Sequence, residues 1–439
     1  MGEGGRNIDG LDDGEEASRR GGSPQPGATV HRLRGVAGGL EVPPGLAGEL
    51  GLEPGVELVA VSRDGRVELR PNIHSLARLY VEPTARCNLS CATCVRNTWQ
   101  EPLGDMSPGV LERLLAALGR FPHLRSVMLG GFGEPTLHPD IVAMIRGFKH
   151  VGLRVEMVSN GTLLEGTLAA GIAAGGLDVL WVSFDGASGP CHESIREGAS
   201  HAGVIANVRR LRQALRAAGR ELEIGIAFVV TRSNVDDLRQ LDRLVEAVGA
   251  SRVSVSNVLP YSAAMEKEMV CRVSLALELL AGVPGKVEIS LPRLDVNDST
   301  REAILGLLRG HANLSLMGNP VRTEIQSCRF VRERCTFVRW DGRVSPCMGL
   351  LHAHTTFLHG NQRAIEPYFV GDVAAEDLLE IWSSEDYRSF RERVDAFDFS
   401  PCHACGGCTL ADANAEDCLG SGAPTCGGCL WAQGIIQCP

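Results

Sequence analysis

The chain has 439 residues, with 43 Lys and Arg against 53 Asp and Glu for a net charge of −10. At 44% hydrophobic and 22% charged it can build a sizeable core, which excludes wholesale disorder, and its acidity argues against a non-specific nucleic-acid binder, which needs a basic footprint. There is no apolar run of bilayer-crossing length and no apolar signal segment, so the expected address is the cytoplasm, with no membrane partner. In that reducing compartment, 15 cysteines point to metal or redox chemistry rather than to disulfides. Three lie within residues 87–94 and ten from Cys328 onward. Cys191 and Cys271 stand alone and read as small buried hydrophobes.

Residues 1–27, rich in Gly, Asp, Glu, Ser and Pro, read as a disordered tail. Residues 28–73 form a small unit. A short helix is expected over Leu46–Gly51, a turn at Glu53-Pro54-Gly55, and a hairpin of Val56–Val61 and Val67–Arg70 around Asp64-Gly65. This order resembles AbrB-like swapped-hairpin domains. The resemblance implies a homodimerisation or docking module, and DNA binding is disfavoured because Arg34, Arg63, Arg66 and Arg70 have acids nearby.

From residue 76 onward strands alternate with helices. The expected strands are Arg78–Glu82, Arg125–Leu129, Arg154–Ser159, Val179–Phe184, Glu223–Val230 and Arg252–Ser256. The expected helices include Pro108–Leu118, Ile141–Phe148, Ala202–Ala217 and Val235–Val248. Six such repeats predict an α/β fold, a closed or partial (β/α)6 barrel over 76–270, with its active site at the C-terminal strand ends. Residues 271–325 read as a bridge of mainly helix and loop. Residues 326–439 read as a cysteine-rich domain of little regular pattern, held by metal.

Cys87-x3-Cys91-x2-Cys94 falls on the loop after the first barrel strand. Three thiolates leave one iron of a [4Fe–4S] cluster open for a substrate or cosubstrate, whereas zinc would want a fourth local ligand. Within a β/α barrel, the Cys-Asn-Leu-x-Cys segment resembles the radical S-adenosylmethionine (SAM) superfamily. The resemblance implies that Cys87, Cys91 and Cys94 hold the cluster and that SAM binds its open iron. It also implies that one electron cleaves SAM to a 5′-deoxyadenosyl radical. Thr93 stands where most members place an aromatic against the adenine, so Trp99 or a barrel residue is expected to take that role.

Further motifs follow the next strands. Gly130-Gly131-Phe132-Gly133-Glu134-Pro135 resembles the family's glycine turn for the SAM amino group, with Glu134 able to accept from an ammonium. Ser159 and Asn160 end the third strand. Ser183 and Asp185 end the fourth, followed by Arg196. By resemblance these lie near the SAM ribose and carboxylate, although an ordinary surface arginine is the plainer reading of Arg196. Asn257 and Tyr261 could also face the pocket.

The second cysteine field comprises Cys328, Cys335, Cys347, Cys402, Cys405, Cys408, Cys418, Cys426, Cys429 and Cys438, with the hairpin Trp340-Asp341-Gly342-Arg343 delivering Cys347. It resembles the SPASM extension, which carries auxiliary [4Fe–4S] clusters in radical SAM maturases. That pattern implies a first auxiliary cluster on Cys328, Cys335 and Cys347 with a later cysteine such as Cys418. It implies a second on Cys402, Cys405 and Cys408 with Cys426, Cys429 or Cys438. Ten thiols exceed the eight that two clusters need, and C-x2-C pairs also suit zinc. His352, His354 and His359 read as an exposed polar loop.

Leu79-Tyr80-Val81-Glu82-Pro83-Thr84 leading into Cys-Asn-Leu-Ser-Cys, then Asn97-Thr98-Trp99 and the ending Pro424–Gly434, is similar to the tungsten cofactor oxidoreductase radical SAM maturases. That resemblance implies activation of an aldehyde ferredoxin oxidoreductase-like tungstoenzyme by modification of its protein or cofactor. The electron donor would be a low-potential carrier such as ferredoxin or flavodoxin. Two other readings are a SPASM maturase that crosslinks a ribosomal peptide and a metal-binding, DNA-associated regulator.

Overall fold

The computed structural model describes residues 34–36, 39–49, 58–63, 66–217, 219–271, 276–277, 288–291, 313–316, 319–322, 327–404 and 407–439. The expected tail over 1–27, the turns at 53–55 and 64–65, most of the 271–325 bridge and Cys405 lie outside the described residues. The chain divides into two compact units, Met1–Leu58 and Val59–Pro439. In the first, β1 (Arg34–Val36) pairs antiparallel with β2 (Gly39–Glu41), and α1 (Pro44–Glu49) follows. The helix begins earlier than expected because Pro44, with its fixed φ, suits a first helical position.

β3 (Leu58–Arg63) and β4 (Arg66–Pro71) pair as the expected hairpin. The barrel strands follow as β5 (Arg78–Val81), β6 (Ser126–Leu129), β7 (Arg154–Ser159), β8 (Val179–Phe184), β9 (Glu223–Val230) and β10 (Arg252–Asn257). They lie side by side in sequence order, all parallel. Between them run α2 (Pro108–Leu118), α3 (Ile141–His150), α4 (Gly166–Gly175), α5 (Gly189–Ile195), α6 (His201–Ala217) and α7 (Leu241–Val248).

Strand periodicity sorts the side chains into two layers. Leu79, Val81, Val127, Leu129, Val155, Leu180 and Val182 pack against the helices in the main core. Tyr80, Met128, Val158 and Trp181 point to the other face, the barrel lumen. Deep in the lumen Glu156 accepts from Arg78 and from Trp181 Nε1, each at 3.2 Å. Trp181 lies over β9 where only glycine leaves room: a Cβ on Gly225 would meet its ring at 2.3 Å.

Two expectations are corrected. The described parts of the bridge are strands, not helix and loop: β11 (Ala276–Leu277), β12 (Glu288–Leu291), β13 (Asn313–Leu316) and β14 (Asn319–Arg322) form one sheet, after α8 (Ala263–Glu268). The cysteine-rich region is also regular, and it is not separate from the barrel. After α9 (Arg329–Arg332), β15 (Cys335–Val338) joins the barrel sheet parallel to β5, followed by β16 (Arg343–Ser345) and β19 (Gly371–Asp372). Burial drives that join. All four β15 residues are buried, and Phe337 stacks on Tyr80 with ring centroids 4.3 Å apart. The hairpin of β17 (His354–Leu358) and β18 (Asn361–Ile365) and the helices α10 (Leu378–Ser383) and α11 (Glu385–Ala396) complete the domain. Arg70 of β4 donates twice to Asp395 of α11, at 2.9 and 2.7 Å.

Candidate active site

The loop carrying Cys87, Cys91 and Cys94 leaves β5 at the C-terminal edge of the barrel. It is pinned at its root by the Thr84–Asp105 bridge and further on by Ala92 N donating to Ile195 O at 2.8 Å. Tyr261 holds it from the far side, its hydroxyl donating to Ala92 O. All three thiols are half-buried. Asn160 Nδ2 approaches Cys87 Sγ at 3.9 Å and donates to Asn88 Oδ1 at 2.9 Å, so the end of β7 is tied to the loop. Burial pushes the Cys91 thiol up to about 11 against the opposing pull of Arg196, and burial also raises Cys94. Metal binding at such thiols must displace protons.

The glycine turn after β6 packs onto the same root. A Cβ on Gly133 would fall 2.0 Å from Thr84 O, and Glu134 N donates to Arg86 O at 2.7 Å. Gly131 sits at φ +144°, and Gly130 N donates to Val81 O. Glu134 does not face outward to an ammonium. Its carboxylate is 3% exposed and already accepts from Thr136 N and Oγ1, Ser159 Oγ (2.8 Å) and Asn160 N (2.7 Å). It therefore binds the glycine turn to the end of β7, and Ser159 and Asn160 form part of the same network.

Asp185, at the end of β8, is fully buried. Its carboxylate pairs with Arg196 at 3.0 Å, accepts from Val229 N at 3.3 Å and meets Thr93 Oγ1 at 3.4 Å. Arg196 is thus not a surface arginine: its side chain is largely buried beside Cys91 and Cys94, and Asp185 raises its pKa against the cost of burial. Ser183 lies half-buried on β8, on the lumen face it shares with Trp181. Trp99 is spent elsewhere: it stacks on His352 at 4.1 Å and meets Phe132 edge-on.

The lumen cavity is lined by Thr93, Cys94, Gly130, Gly131, Asn257 and Cys438 among others, so the cysteine loop and glycine turn share it with the segment after Trp431. Asn257 Nδ2 donates to Ile435 O at 3.1 Å, and Trp431 Nε1 donates to Cys438 Sγ at 3.4 Å. A second cavity gathers Cys328, Cys347, Cys426 and Cys429 under His354 and Arg363. Burial and their mutual proximity push Cys347 and Cys426 far up, and Cys328 up to about 12. Cys418 is not with them. It is exposed and bonds Ser400 Oγ at 2.7 Å, while Ser400 O accepts from the amide of buried Cys402. Cys408 begins the short turn Thr409–Asp412 nearby. Cys335 lies buried in the sheet opposite Arg78, in one cluster with Tyr80 and Cys328.

Several expectations on isolated residues change. Cys191 and Cys271 are half-buried rather than buried. His352 is almost wholly buried, within hydrogen-bond distance of Glu82 and Glu101, and His354 is buried as well; of the three only His359 is exposed. The one visible signal for that cluster was Glu82, a charge closing the otherwise apolar strand Leu79-Tyr80-Val81.

A lumen with three thiols on its first loop, a glycine turn beside them and a second thiol-lined cavity defines an iron–sulfur enzyme built on a partial barrel. The radical SAM superfamily model matches residues 81–245, and the model of the SPASM iron–sulfur cluster-binding domain matches 328–409. The chain belongs to the radical SAM superfamily, and it is an enzyme that uses SAM and iron–sulfur clusters. It is 30% identical over 366 residues to the tungsten-containing aldehyde ferredoxin oxidoreductase cofactor-modifying protein of Pyrococcus furiosus, a match spanning 82% of this chain and 96% of that one. It is 28% identical over 195 residues to the AdoMet-dependent heme synthase of Methanosarcina barkeri, covering 43% of this chain and 52% of that one. Among solved structures, SuiB of Streptococcus suis bound to S-adenosylmethionine aligns at TM-score 0.47 and 17% identity, over 76% of this chain and 71% of that one.

Proposed function

We propose that this radical SAM maturase acts on the cofactor of a tungsten-containing oxidoreductase of the aldehyde ferredoxin type. The observation that carries this reading is the similarity to the Pyrococcus furiosus protein, which spans 82% of this chain and 96% of that relative. Cys87, Cys91 and Cys94 would hold the cluster that binds SAM; when bound and reduced, it supplies the electron that splits the sulfonium and generates the 5′-deoxyadenosyl radical.

The chain's own residues position and shield. Gly130, Gly131 and Gly133 bring backbone close to the SAM amino group, with Glu134, Ser159 and Asn160 bracing that turn from behind. Arg196 presents positive charge beside the thiolates, oriented by Asp185. Ser183 faces the lumen from β8. Cys328, Cys347, Cys426 and Cys429 form one auxiliary ligand set, and Cys402, Cys405, Cys408 and Cys418 the other. Cys335 and Cys438 share one packed cluster with Cys328 and Cys347, and Cys438 also lines the lumen cavity. A ferredoxin or flavodoxin supplies electrons in the cytoplasm, and the small N-terminal unit pairs two copies. Among the described residues no helix is long and apolar enough to cross a membrane.

The test is an anaerobic incubation of the reconstituted chain with SAM, a low-potential reductant and the tungstoenzyme isolated from cells lacking this chain. A mass change in the extracted cofactor, together with deoxyadenosine, supports the reading. Deoxyadenosine that forms only with a small copurifying peptide moves the target to the peptide-maturase alternative. Zinc in place of iron, with a salt-dependent DNA shift, would favour the regulator.

A further inference from the structure

One chain of hydrogen-bonded side chains runs from the auxiliary domain to the glycine turn. Glu82, at the end of β5, is 2% exposed. Its Oε1 accepts from the Phe132 amide at 3.1 Å, and a Cβ on Gly131 would fall 2.6 Å from its Cγ, so the turn is wrapped around this carboxylate. Its Oε2 lies 2.9 Å from Nε2 of His352, a residue of the auxiliary domain. The other ring nitrogen of His352 lies 3.1 Å from Glu101 Oε2. Glu101 in turn is held by Arg339 at 2.9 Å and by the Ala353 amide at 2.7 Å, and Arg339 pairs with Asp341. Trp99 stacks on the imidazole, and Phe132 meets it edge-on at 5.8 Å.

Both ring nitrogens of His352 lie within hydrogen-bond distance of a carboxyl oxygen, so the ring is fixed at both ends. Without His352, the second oxygen of the buried Glu82 carboxyl group would lose its hydrogen-bond partner, a state that proteins relieve by movement. That movement would reach the Phe132 amide through the same carboxyl group.

We propose that His352 is a positioning residue through which the auxiliary domain sets the shape of the SAM cradle: His352 holds Glu82, and Glu82 holds the Phe132 amide of the glycine turn. This rests on the reading of Gly130–Gly133 as that cradle. The auxiliary half thus contributes to SAM binding as well as holding clusters.

The experiment measures the SAM dissociation constant of the full, reconstituted chain by anaerobic equilibrium dialysis, with iron per chain and the unfolding midpoint read alongside. H352A and E82Q should each weaken SAM binding by about tenfold or more, the usual cost of losing an outer-shell partner. The double variant should be no weaker than either single one, because both break one connection. H352Q, whose amide can stand in for Nε2 toward Glu82, should retain SAM affinity. H352N, whose amide reaches only toward Glu101, should not. Wild-type affinity in H352A overturns the inference. If H352A fails to fold, equal affinities in H352Q and H352N overturn it instead, because a merely structural histidine would not separate them. A wild-type chain that carries iron but binds no SAM defeats the cradle reading and this inference with it, whereas SAM binding that is indifferent to position 352 defeats this inference alone.

Discussion

Thr93, between the second and third thiols of the barrel loop, lies 3.4 Å from Asp185 at the end of β8, through its hydroxyl and one carboxylate oxygen. The cysteine loop is thereby bonded to the same buried acid that pairs with Arg196. A phenylalanine at position 93 could not make that bond.

Asp185 carries three partners from three elements, so its replacement tests the arrangement. Asp185→Asn leaves the largely buried Arg196 without its counter-charge and should destabilise the chain by about 3–5 kcal/mol. Thr93→Ala removes only one long hydrogen bond and should cost about 1 kcal/mol or less. Urea unfolding of the two variants against wild type checks the difference.

The triple variant C87A/C91A/C94A should form no deoxyadenosine from SAM. Its iron should fall from about twelve to about eight per chain, the loss of one four-iron cluster of three. Iron analysis and chromatography of the quenched reaction read both outcomes. Deoxyadenosine from this variant would remove the barrel loop from the chemistry.

The two auxiliary ligand sets can be separated by the same assay. C426A/C429A should lose about four irons, as should C402A/C418A, and the four-fold combination about eight. C438A should keep its iron. Loss of four irons in C438A would transfer that thiol into a ligand set.

Gly133→Ala should abolish tight SAM binding even if the chain folds. The new methyl group would meet the Thr84 and Arg86 carbonyls, which are backbone and cannot rotate away, so the turn must shift off the cysteine-loop root. Gly152→Ala is the matching control. Gly152, unlike Gly133, has positive φ, and nothing stands within 4 Å of its Cβ, so the change should cost stability without affecting SAM.

Acid should destabilise the fold through α5 and α6. His192 is fully buried, and burial, with Arg196 and His201 adding to it, holds its pKa down to about 3; burial also lowers His201. A depressed histidine contributes stability above its unfolded pKa of about 6.5 and loses it as pH falls toward the folded value, by about 1.4 kcal/mol per pH unit. The unfolding free energy should therefore drop between pH 6.5 and 4.5, and more shallowly in His192→Phe, which packs beside Phe184 without a proton to gain.

The barrel was legible in the sequence because its strands are apolar runs cut off by polar or glycine residues. β7, β8 and β9 begin and end at the expected residues. The helix expected from Val235 instead starts at Leu241, after a tighter turn over Val235–Gln240. Asn234 explains part of this: its side chain is spent on Thr231 N and Asp185 O, leaving no cap for the helix. β15 was not legible, because Cys335-Thr336-Phe337-Val338 is a short run flanked by charges and its partner strand lies near the other end of the chain. His352 was misread for the same reason. A histidine in the loop after Cys347, with two more histidines close behind it, looks exposed until Glu82, Glu101 and Trp99, all remote in sequence, are brought around it.

The seating of β15 against β5 also bears on how such maturases can be recombined. A chimaera cut at the boundary between the two family matches would strip β5 of its neighbour, leaving the main-chain groups of Arg78–Val81 and the ring of Tyr80 open to any extended chain in solution. A graft that exchanges target specificity has to carry a matching strand for that edge. Auxiliary halves should therefore be interchangeable only between relatives whose first barrel strand accepts the incoming Phe337 and whose Glu82 finds a histidine waiting.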